Sequence, residues 1–466
     1  MVLNPTMPEP EVVARGEAVS GLRRLVEWAV AARAGDLSER VRRRASLVLL
    51  DDLAAIVAAS SEPQIADAQG ILIKAAGAKE ARVLASGALL ATREQAAAAN
   101  GLAITWAELD EGFRPLPCHA GAYILPALIA EAEATDASLD AVLVSLAIAY
   151  EITARIAKSY PFHRLSIHPH AAFNAIGAAA GLAVLRQADA TVLFDTITAA
   201  STLVNAGPFN HAIEGGLVRN VWTSIGATAG FRAADFAPLG IAGLEAALHE
   251  VFVDGFGCRP QPGQLSLNLP EGEGAFAIED GYHKVHACCQ YTHSAVEASL
   301  QLAEKLRDPD AIDRIEVETH ARGLALDVRK PATVLAAKFS MVHAVAAVAA
   351  RHSAGPKSFD LHSLTDPVID RLRQKVVLKP HDNIRPVPND RPARIHWVLR
   401  DGQRLSASVD SARGGSDQPF SETELLEKFA TLTAEVFPAA GDVSRQVLSG
   451  KLSGQPWRRV IAAYTS

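Results

Sequence analysis

Asp110 and His119 form the first of three groups of ionisable residues that could do chemistry in this sequence. Nine residues separate them across a loop containing glycine and proline, so a turn can bring both side chains to one pocket. The apolar helix predicted to begin near Gly121 offers free N–H groups that suit a carboxylate. A structural alternative stays open, in which Asp110 or Glu111 satisfies loop amides and His119 caps the helix.

A second group, His163, His168 and His170, precedes the apolar segment 171–185, which is predicted to be a buried helix. A histidine at the mouth of such a helix, with Arg164 nearby, can act as a base whose pKa stays near neutrality. The spacing of these histidines matches no common zinc pattern, so a metal site is the weaker interpretation. The remaining alternative is that they are histidines of a surface loop.

Lys284 lies in the third group, residues 282–293, where the second half of the chain begins. A lysine in a cleft between domains could clamp a carboxylate. The vicinal Cys288 and Cys289 are a poor pair of zinc ligands, so we expect buried free thiols there. Further cations could add positive charge or could be solvated helix residues: Arg155, Arg219 and Lys338.

Alanine-rich helices are predicted to position these groups. Of the 466 residues, 49% are hydrophobic but only 6% aromatic, and much of the apolar share is alanine, the strongest helix former. Residues 19–34, for example, place apolar side chains at helical spacing. Nearly every segment from 20 to 250 has this period, with short breaks that suit packed antiparallel helices.

The pattern changes between Pro260 and Gly281, which predicts a domain boundary. An alternating strand over 311–320, further helices and a hairpin turning at Asp401-Gly402 follow, and the helical period returns at Glu422. We therefore predict a mostly α protein with a large all-helical domain, residues 1–270 and 411–466. Residues 271–410 are predicted to form a smaller α+β lid domain inserted into it.

Composition and the lack of known motifs exclude several classes of protein. The net charge is −7 and no basic run is longer than residues 42–44, so no nucleic-acid partner is expected. Four irregularly spaced cysteines indicate no disulfide framework and favour the reducing cytoplasm. Neither a signal peptide nor a membrane span is expected. Motifs for dinucleotides, P-loops, zinc proteases and hydrolase elbows do not occur.

Short motifs in a fixed order give the chain a resemblance to the MmgE/PrpD family. They run over nearly the whole length: residues 50–54, 100–101, 108–110, 119–121, 167–169 and 284–289, ending at His293. Each motif is only moderately specific, but their order and spacing together are much stronger. The resemblance implies a discontinuous helical domain, a smaller α+β lid domain and a homodimer with the site between domains.

The resemblance also implies chemistry on small polycarboxylates without a metal or an organic cofactor. Members of the family include 2-methylcitrate dehydratase, cis-aconitate decarboxylase and iminodisuccinate epimerase. An acidic residue and two histidines of the family pattern carry over to Asp110, His119 and His168. Arg219 stands where the family has a lysine, and Arg114 lies near the position where the family often has a threonine. An additional arginine favours a dicarboxylate, and the preferred hypothesis is epimerisation of iminodisuccinate.

The hypothesis assigns catalysis to Asp110, His119, His168 and Lys284. A histidine removes the proton α to a carboxylate, and a second acid returns a proton to the opposite face. Substrate carboxylates are held by cations, with these binding residues expected: Arg114, Arg155, Arg219 and His293, assisted by Lys284. A dehydratase acting on 2-methylcitrate or a similar acid, a decarboxylase, and a non-enzymatic dicarboxylate-binding protein are the alternatives.

Overall fold

The structure is a computed structural model that describes residues 9–34, 37–75, 77–162, 164, 166–272 and 274–466. Helices dominate the first half of the chain, as the periodicity predicts. They are α1 (Glu9–Ala34), α2 (Glu39–Ser60), α3 (Pro63–Leu72), α4 (Arg93–Ile104), α5 (Ala120–Ala134), α6 (Leu139–Ser159), α7 (Pro169–Ala172), α8 (Asn174–Leu185), α9 (Ala190–Ser201), α10 (Asn210–Glu214), α11 (Val221–Phe236) and α12 (Ala247–His249).

Helix α8 lies at the centre of this half, and all of its residues are buried. It packs against α5, α6, α9 and α11. Small side chains allow the helices to approach closely: a Cβ on Gly230 of α11 would lie 2.5 Å from the Cβ of Ala178 in α8. Close helix packing therefore accounts for an alanine-rich chain with few aromatic residues.

The segment predicted as one buried helix over 171–185 is divided at Phe173 into α7 and α8. Pro169 occupies the first turn of α7, where its missing N–H costs nothing. The Asn174 side chain donates to the carbonyl of Thr223, at 3.2 Å, instead of pointing into an apolar interface. The break lets α7 place His168 and His170 beside the start of α8.

The second half adds helices and the main sheet. The helices are α13 (His293–Ala303), α14 (Ala321–Leu324), α15 (Val334–Lys338), α16 (Met341–Arg351), α17 (Leu361–Thr365), α18 (Pro367–Gln374), α19 (Glu422–Thr433), α20 (Ala440–Leu448) and α21 (Trp457–Tyr464). The strands among the described residues are β1 (Ala81–Arg82), β2 (Leu90–Ala91), β3 (Gly112–Phe113), β4 (Gly281–Tyr282), β5 (Ile312–Thr319), β6 (Val376–Pro380), β7 (Ala393–Leu399) and β8 (Arg404–Val409).

Strands β5 to β8 form one sheet in the order β6-β5-β7-β8. The β5–β6 pair is parallel, with Ile315 opposite Val376, whereas β5–β7 and β7–β8 are antiparallel. The hairpin between β7 and β8 turns where predicted, and Gly402 adopts a φ of 88° that glycine accepts without strain. Helix α13 packs against β7 and β8.

The C-terminal helices return to the N-terminal half. Helix α19 packs against α2, and α21 packs against α5 and α6. The Trp457 indole N–H donates to the carbonyl of Ile129 at 3.0 Å. The fold is thus mostly helical with a small α+β part, as the sequence predicts. The domain limits at residues 270 and 411 stay a prediction. Within the described chain, no helix has the length and apolar character needed to cross a membrane.

Candidate functional site

The short strand pair β3–β4 brings two of the three predicted groups together. Gly112 lies opposite Tyr282, so the loop after Asp110 runs beside the segment that leads to Lys284. A Cβ on Gly112 would lie only 2.6 Å from the Tyr282 ring, which explains why glycine stands there. The second group joins them because His168 immediately precedes α7 and lines the same cavity.

Asp110 and His119 form a hydrogen-bonded pair, with 2.6 Å between the carboxylate Oδ2 and the imidazole Nδ1. Burial opposes ionisation of Asp110, but the charge of Lys284 and the hydrogen bond from His119 outweigh it and hold its pKa below the ordinary value. An ionised carboxylate can only accept a hydrogen bond, so Nδ1 of His119 carries the proton. In the neutral imidazole, Nε2 of His119 is then left with a free lone pair, and His119 lines the cavity.

Lys284 is completely buried behind this pair. Its Nζ lies 3.3 Å from Oδ1 of Asp110 and 3.7 Å from Oε2 of Glu108. Burial lowers the pKa of a lysine, but the two carboxylates reverse the effect and raise the pKa of Lys284 above its ordinary value. Lys284 is therefore a fixed positive charge and not a base at neutral pH.

Arg219 forms a buried ion pair with Glu108 on the cavity wall. Its guanidinium also donates to the Thr105 carbonyl at 2.9 Å and to Oδ1 of Asn220 at 3.0 Å. Because an arginine keeps its proton at neutral pH, it offers charge and hydrogen bonds but no proton transfer. A substrate carboxylate would compete with Glu108 for this guanidinium.

His168 and His170 extend the site as two neutral imidazoles. Burial, reinforced by the charge of Arg219, lowers the pKa of both well below the ordinary value. Nδ1 of His168 accepts the backbone N–H of His170 at 3.2 Å, so its proton is on Nε2. Nδ1 of His170 pairs with the Tyr123 hydroxyl at 2.9 Å. His170 Nε2 has no hydrogen-bond partner among the described residues.

The cavity between these groups has a volume of about 50 Å³, room for a few water molecules. Its lining includes Glu108, His119, His168, Arg219, Tyr282 and Arg391. Arg391 pairs with Gln290 and lies 3.3 Å from Asp390, which also binds Arg114 at 2.6 Å. Two guanidinium groups share one carboxylate there, so positive charge remains to attract an anion.

Three of the predicted binding residues, Arg114, Arg155 and His293, lie outside the described lining of this cavity. Arg155 pairs with Glu151 at 2.6 Å and donates to the carbonyl of Leu267 at 2.7 Å. Nε2 of His293 lies 3.1 Å from the Cys288 carbonyl. Arg114 reaches the site only through Asp390. His163 falls outside the described residues.

The structural alternative stated for Glu111 fits the geometry around it. Its Oε1 accepts the Gly121 N–H at 2.8 Å, so this amide at the start of α5 is not free for a ligand. His119 occupies the cap position of α5, but its side chain makes no capping bond and pairs with Asp110 instead. The cysteines are free and buried, as expected: Cys118, Cys258, Cys288 and Cys289.

Arg391 and Tyr282 were missed as site residues from the sequence. Tyr282 belongs to the third group, and its place opposite Gly112 in β3–β4 was the available signal. Arg391 follows a proline-containing loop without a motif, and only the tertiary fold brings it beside the Tyr291 ring, 4.9 Å away. Lys338, named as a possible cation, donates to the Trp106 carbonyl at 2.6 Å, and burial lowers its pKa to about 8.

A second buried layer supports the loop that carries Asp110. Lys428 of α19 donates to the Leu109 carbonyl at 2.9 Å and to Oδ1 of Asp51 at 2.5 Å. Oδ2 of Asp51 lies 3.1 Å from Nδ1 of His283. Leu109, which immediately precedes Asp110, is therefore held in place by α19, a helix near the C-terminal end of the described chain.

Asp110, His119 and His170 each offer a ligand atom, and these atoms lie within 4.8 Å of one another. That spacing alone would admit a metal ion. However, Lys284 already places a positive charge 3.3 Å from Asp110, and Arg219 adds another that lowers the pKa of His168 and His170. Mutual repulsion makes a divalent cation unfavourable at this position.

Fold and site together define a helical protein with a buried cleft that combines a histidine–carboxylate pair with fixed cations. Residues 23–257 match the MmgE/PrpD N-terminal domain, and residues 286–452 match the MmgE/PrpD C-terminal domain. The chain belongs to the MmgE/PrpD family, which confirms the resemblance seen in the sequence. It is 24% identical to a cis-aconitate decarboxylase-like protein, oryM, of Aspergillus oryzae, over 94% of this chain and 93% of the relative.

Proposed function

We propose that this protein is an acid–base enzyme acting on a small polycarboxylate. The observation that carries the proposal is the 2.6 Å contact between Asp110 and Nδ1 of His119, which leaves Nε2 as a proton acceptor on the cavity. A buried carboxylate that fixes the tautomer and orientation of an imidazole is a recurring way to prepare a general base.

The charges around the cavity suit a substrate with more than one carboxylate. Arg391 shares its carboxylate partner with Arg114, and Arg219, paired with Glu108, lines the same cavity. Bidentate guanidinium groups recognise carboxylates well. The small volume favours a compact acid at the reacting end.

In the proposed first step, Nε2 of His119 removes the proton α to a substrate carboxylate. Negative charge then develops on the carboxylate oxygens as an enediolate. The fixed positive charge of Lys284 lowers the energy of the enediolate, and the Nε2–H of His168 can donate a hydrogen bond to the enediolate oxygen. Preorganised charge of this kind is worth roughly 10²–10³ in rate for each donor.

We propose a lyase reaction as the outcome. In a dehydration, the electron pair released from the C–H bond forms the double bond, while the β-hydroxyl takes a proton from a second acid and leaves as water. The relative named as cis-aconitate decarboxylase-like supports lyase chemistry on such acids, and the family supports enzyme activity in general.

Epimerisation of iminodisuccinate, the reaction the sequence favours, is the second candidate. The specific observation in its favour is that His119 and His168 both line one cavity. A proton removed by one group and returned to the other face would invert the carbon. This reaction shares the first step with the lyase and differs only in the fate of the carbanion.

The two reactions are distinguished by incubating the protein in D₂O with 2-methylcitrate, cis-aconitate or iminodisuccinate and following proton NMR. A lyase produces an unsaturated acid or loses carbon dioxide, whereas an epimerase incorporates deuterium and changes configuration without loss of mass. His119→Gln should abolish either reaction, while the exposed control His362→Gln should not. Carboxylate binding without turnover would instead indicate a dicarboxylate-binding protein.

The proposal includes a homodimer in the cytoplasm that works without a metal or an organic cofactor. Light scattering of the purified protein tests the dimer. Metal analysis of the purified protein tests whether the reaction needs a metal. Stoichiometric zinc that is required for turnover would contradict the acid–base mechanism based on His119.

A further inference from the structure

A second and larger cavity adjoins the candidate site. Its volume is about 470 Å³, compared with about 50 Å³ for the catalytic cavity. The two cavities share Leu116, Pro117 and Arg391 in their walls, so they meet at this point. A ligand bound by the arginine can extend from one cavity into the other.

Aromatic side chains form one wall of this annex cavity. Tyr160, Phe162 and Phe173 line it. Behind them, the Phe252 ring stacks on Phe173 with 5.3 Å between centroids and on Tyr160 at 5.3 Å. The wall is therefore rigid and apolar, the kind of surface that gains from covering by hydrocarbon.

The charged groups of the annex cavity collect on the side of the catalytic cavity. Arg322 donates to the Tyr291 hydroxyl at 2.7 Å, and Arg391 lies over the same ring. His320 contacts the Tyr291 carbonyl at 3.1 Å, and Asp390 contacts Arg391. Since Tyr291 also lines the catalytic cavity, polarity is concentrated at the junction and falls off toward the aromatic wall.

We infer that the annex cavity binds an apolar substituent of the substrate, an alkyl chain several carbons long attached to the polycarboxylate. The inference rests on the proposed function for the position of the carboxylates at Arg391 and Arg219. A compact acid without such a chain leaves the aromatic wall in contact with water. The chain displaces that water, and each buried methylene raises affinity about fourfold.

The test is a binding series with succinate, 2-methylsuccinate, 2-butylsuccinate and 2-octylsuccinate, measured by calorimetry on the full chain. We expect Kd to fall about fourfold per added methylene until the annex cavity is filled. An affinity that does not change along the series overturns the inference. So does hexanoate binding as tightly as 2-butylsuccinate, because the chain would then bind without the second carboxylate.

The variant Ala321→Trp tests whether the alkyl chain of the ligand binds in the annex cavity. Ala321 lines the annex cavity and is exposed, so the larger side chain fills the cavity from its outer side without entering the core. We expect the gain from the alkyl chain to disappear in this variant. Ala325→Trp is the matched control, since Ala325 is also exposed and lies outside the annex lining; it should retain the gain. A gain that persists in Ala321→Trp, or an equal loss in the control, overturns the assignment.

Turnover separates this inference from the proposed function. If alkylsuccinates bind with the expected dependence on chain length while no polycarboxylate is converted, the annex assignment stands and the proposed reaction is wrong. If unsubstituted acids are converted but chain length changes neither Kd nor kcat/KM, the reaction stands and the annex assignment is wrong.

Discussion

Asp110 and Glu111 are neighbours in sequence, yet their surroundings move their pKa values in opposite directions. Asp110 lies beside Lys284, whose charge lowers its pKa despite burial, and the hydrogen bond from His119 acts in the same direction. Glu111 lies in a buried pocket with Asp52, and burial raises its pKa to about 7. One carboxyl group stays ionised for the chemistry, while its neighbour is about half protonated near neutral pH and holds the loop.

Asp110→Asn should reduce kcat by roughly three to four orders of magnitude, because an amide can stabilise the wrong tautomer of His119. The variant should still fold, since asparagine retains the shape of the side chain. Steady-state kinetics provide the measurement, with whichever of the three acids tested above the protein converts. Asp313→Asn, at an exposed position, is the control and should retain full activity. More than a tenth of the activity remaining in Asp110→Asn would contradict the assigned role.

Glu111→Gln should remove a pH dependence of stability. The folded pKa of Glu111 is raised above the unfolded value, so its contribution is fully present below pH 4.5 and is lost as pH rises to about 7. The stabilisation that Glu111 loses over this pH range is at most ~3 kcal/mol. Glutamine imitates the protonated acid and keeps acceptor and donor groups near Gly121 and Tyr150. Urea unfolding at pH 4.5, 6 and 7.5 should show a smaller decline in the free energy of unfolding for the variant than for the unmodified protein. An unchanged decline would mean that other groups cause the pH dependence.

At the scale of elements, the first turn of α5 is the most constrained part of the site. A Cβ on Gly121 would lie 2.4 Å from Oδ2 of Asp52, 2.8 Å from Oε1 of Glu111 and 2.8 Å from Cγ1 of Val48. These atoms belong to α2 and to the loop that carries Asp110. The start of one helix thus fixes the distance between another helix and the catalytic loop.

Gly121→Ala should destabilise the fold by about 1–3 kcal/mol, because overpacking outweighs the better helix propensity of alanine. The control is Gly16→Ala in α1, where a Cβ meets nothing within 4 Å. That change should stabilise the protein by roughly 0.5–1 kcal/mol. Denaturant unfolding measures both variants. Equal effects at the two glycines would show that the close approach at Gly121 is relaxed at little cost.

Helical periodicity and turn residues predicted most elements, because these signals are local. The hairpin at Gly402 is an example. The break at Phe173 was not predictable, since it depends on Asn174 reaching the Thr223 carbonyl in a distant helix. For the same reason the site prediction included Asp110 and His119 but missed Arg391, which only tertiary packing brings to the cavity.

At the scale of the whole molecule, residues distant in sequence hold the site together. Lys428 in α19 joins Asp51 in α2 and the Leu109 carbonyl beside Asp110. Asp51 is completely buried, and its other ionisable partner is His283, which is neutral at neutral pH because burial lowers its pKa to about 4. Lys428 is therefore the main compensation for this carboxylate.

Lys428→Met should cost about 3–5 kcal/mol, since it leaves a buried carboxylate without its cation. We also expect a loss of activity larger than the loss of folded protein, because the Asp110 loop loses its anchor at Leu109. Thermal unfolding and activity at a temperature where the variant is folded measure the two effects. Lys451→Met, at an exposed position, should change neither. Full activity of folded Lys428→Met would show that Leu109 needs no anchor.

Lys428 also follows every strand of the sheet in the order of synthesis. While a ribosome is still producing the sheet, the nascent α2 contains Asp51 without the lysine that neutralises it in the finished fold. The loop of Asp110 becomes fully anchored only when α19 has emerged and packed against α2. Truncated chains that end before residue 428 should consequently be inactive even when their helices form, and quality-control proteases would encounter them as incomplete proteins.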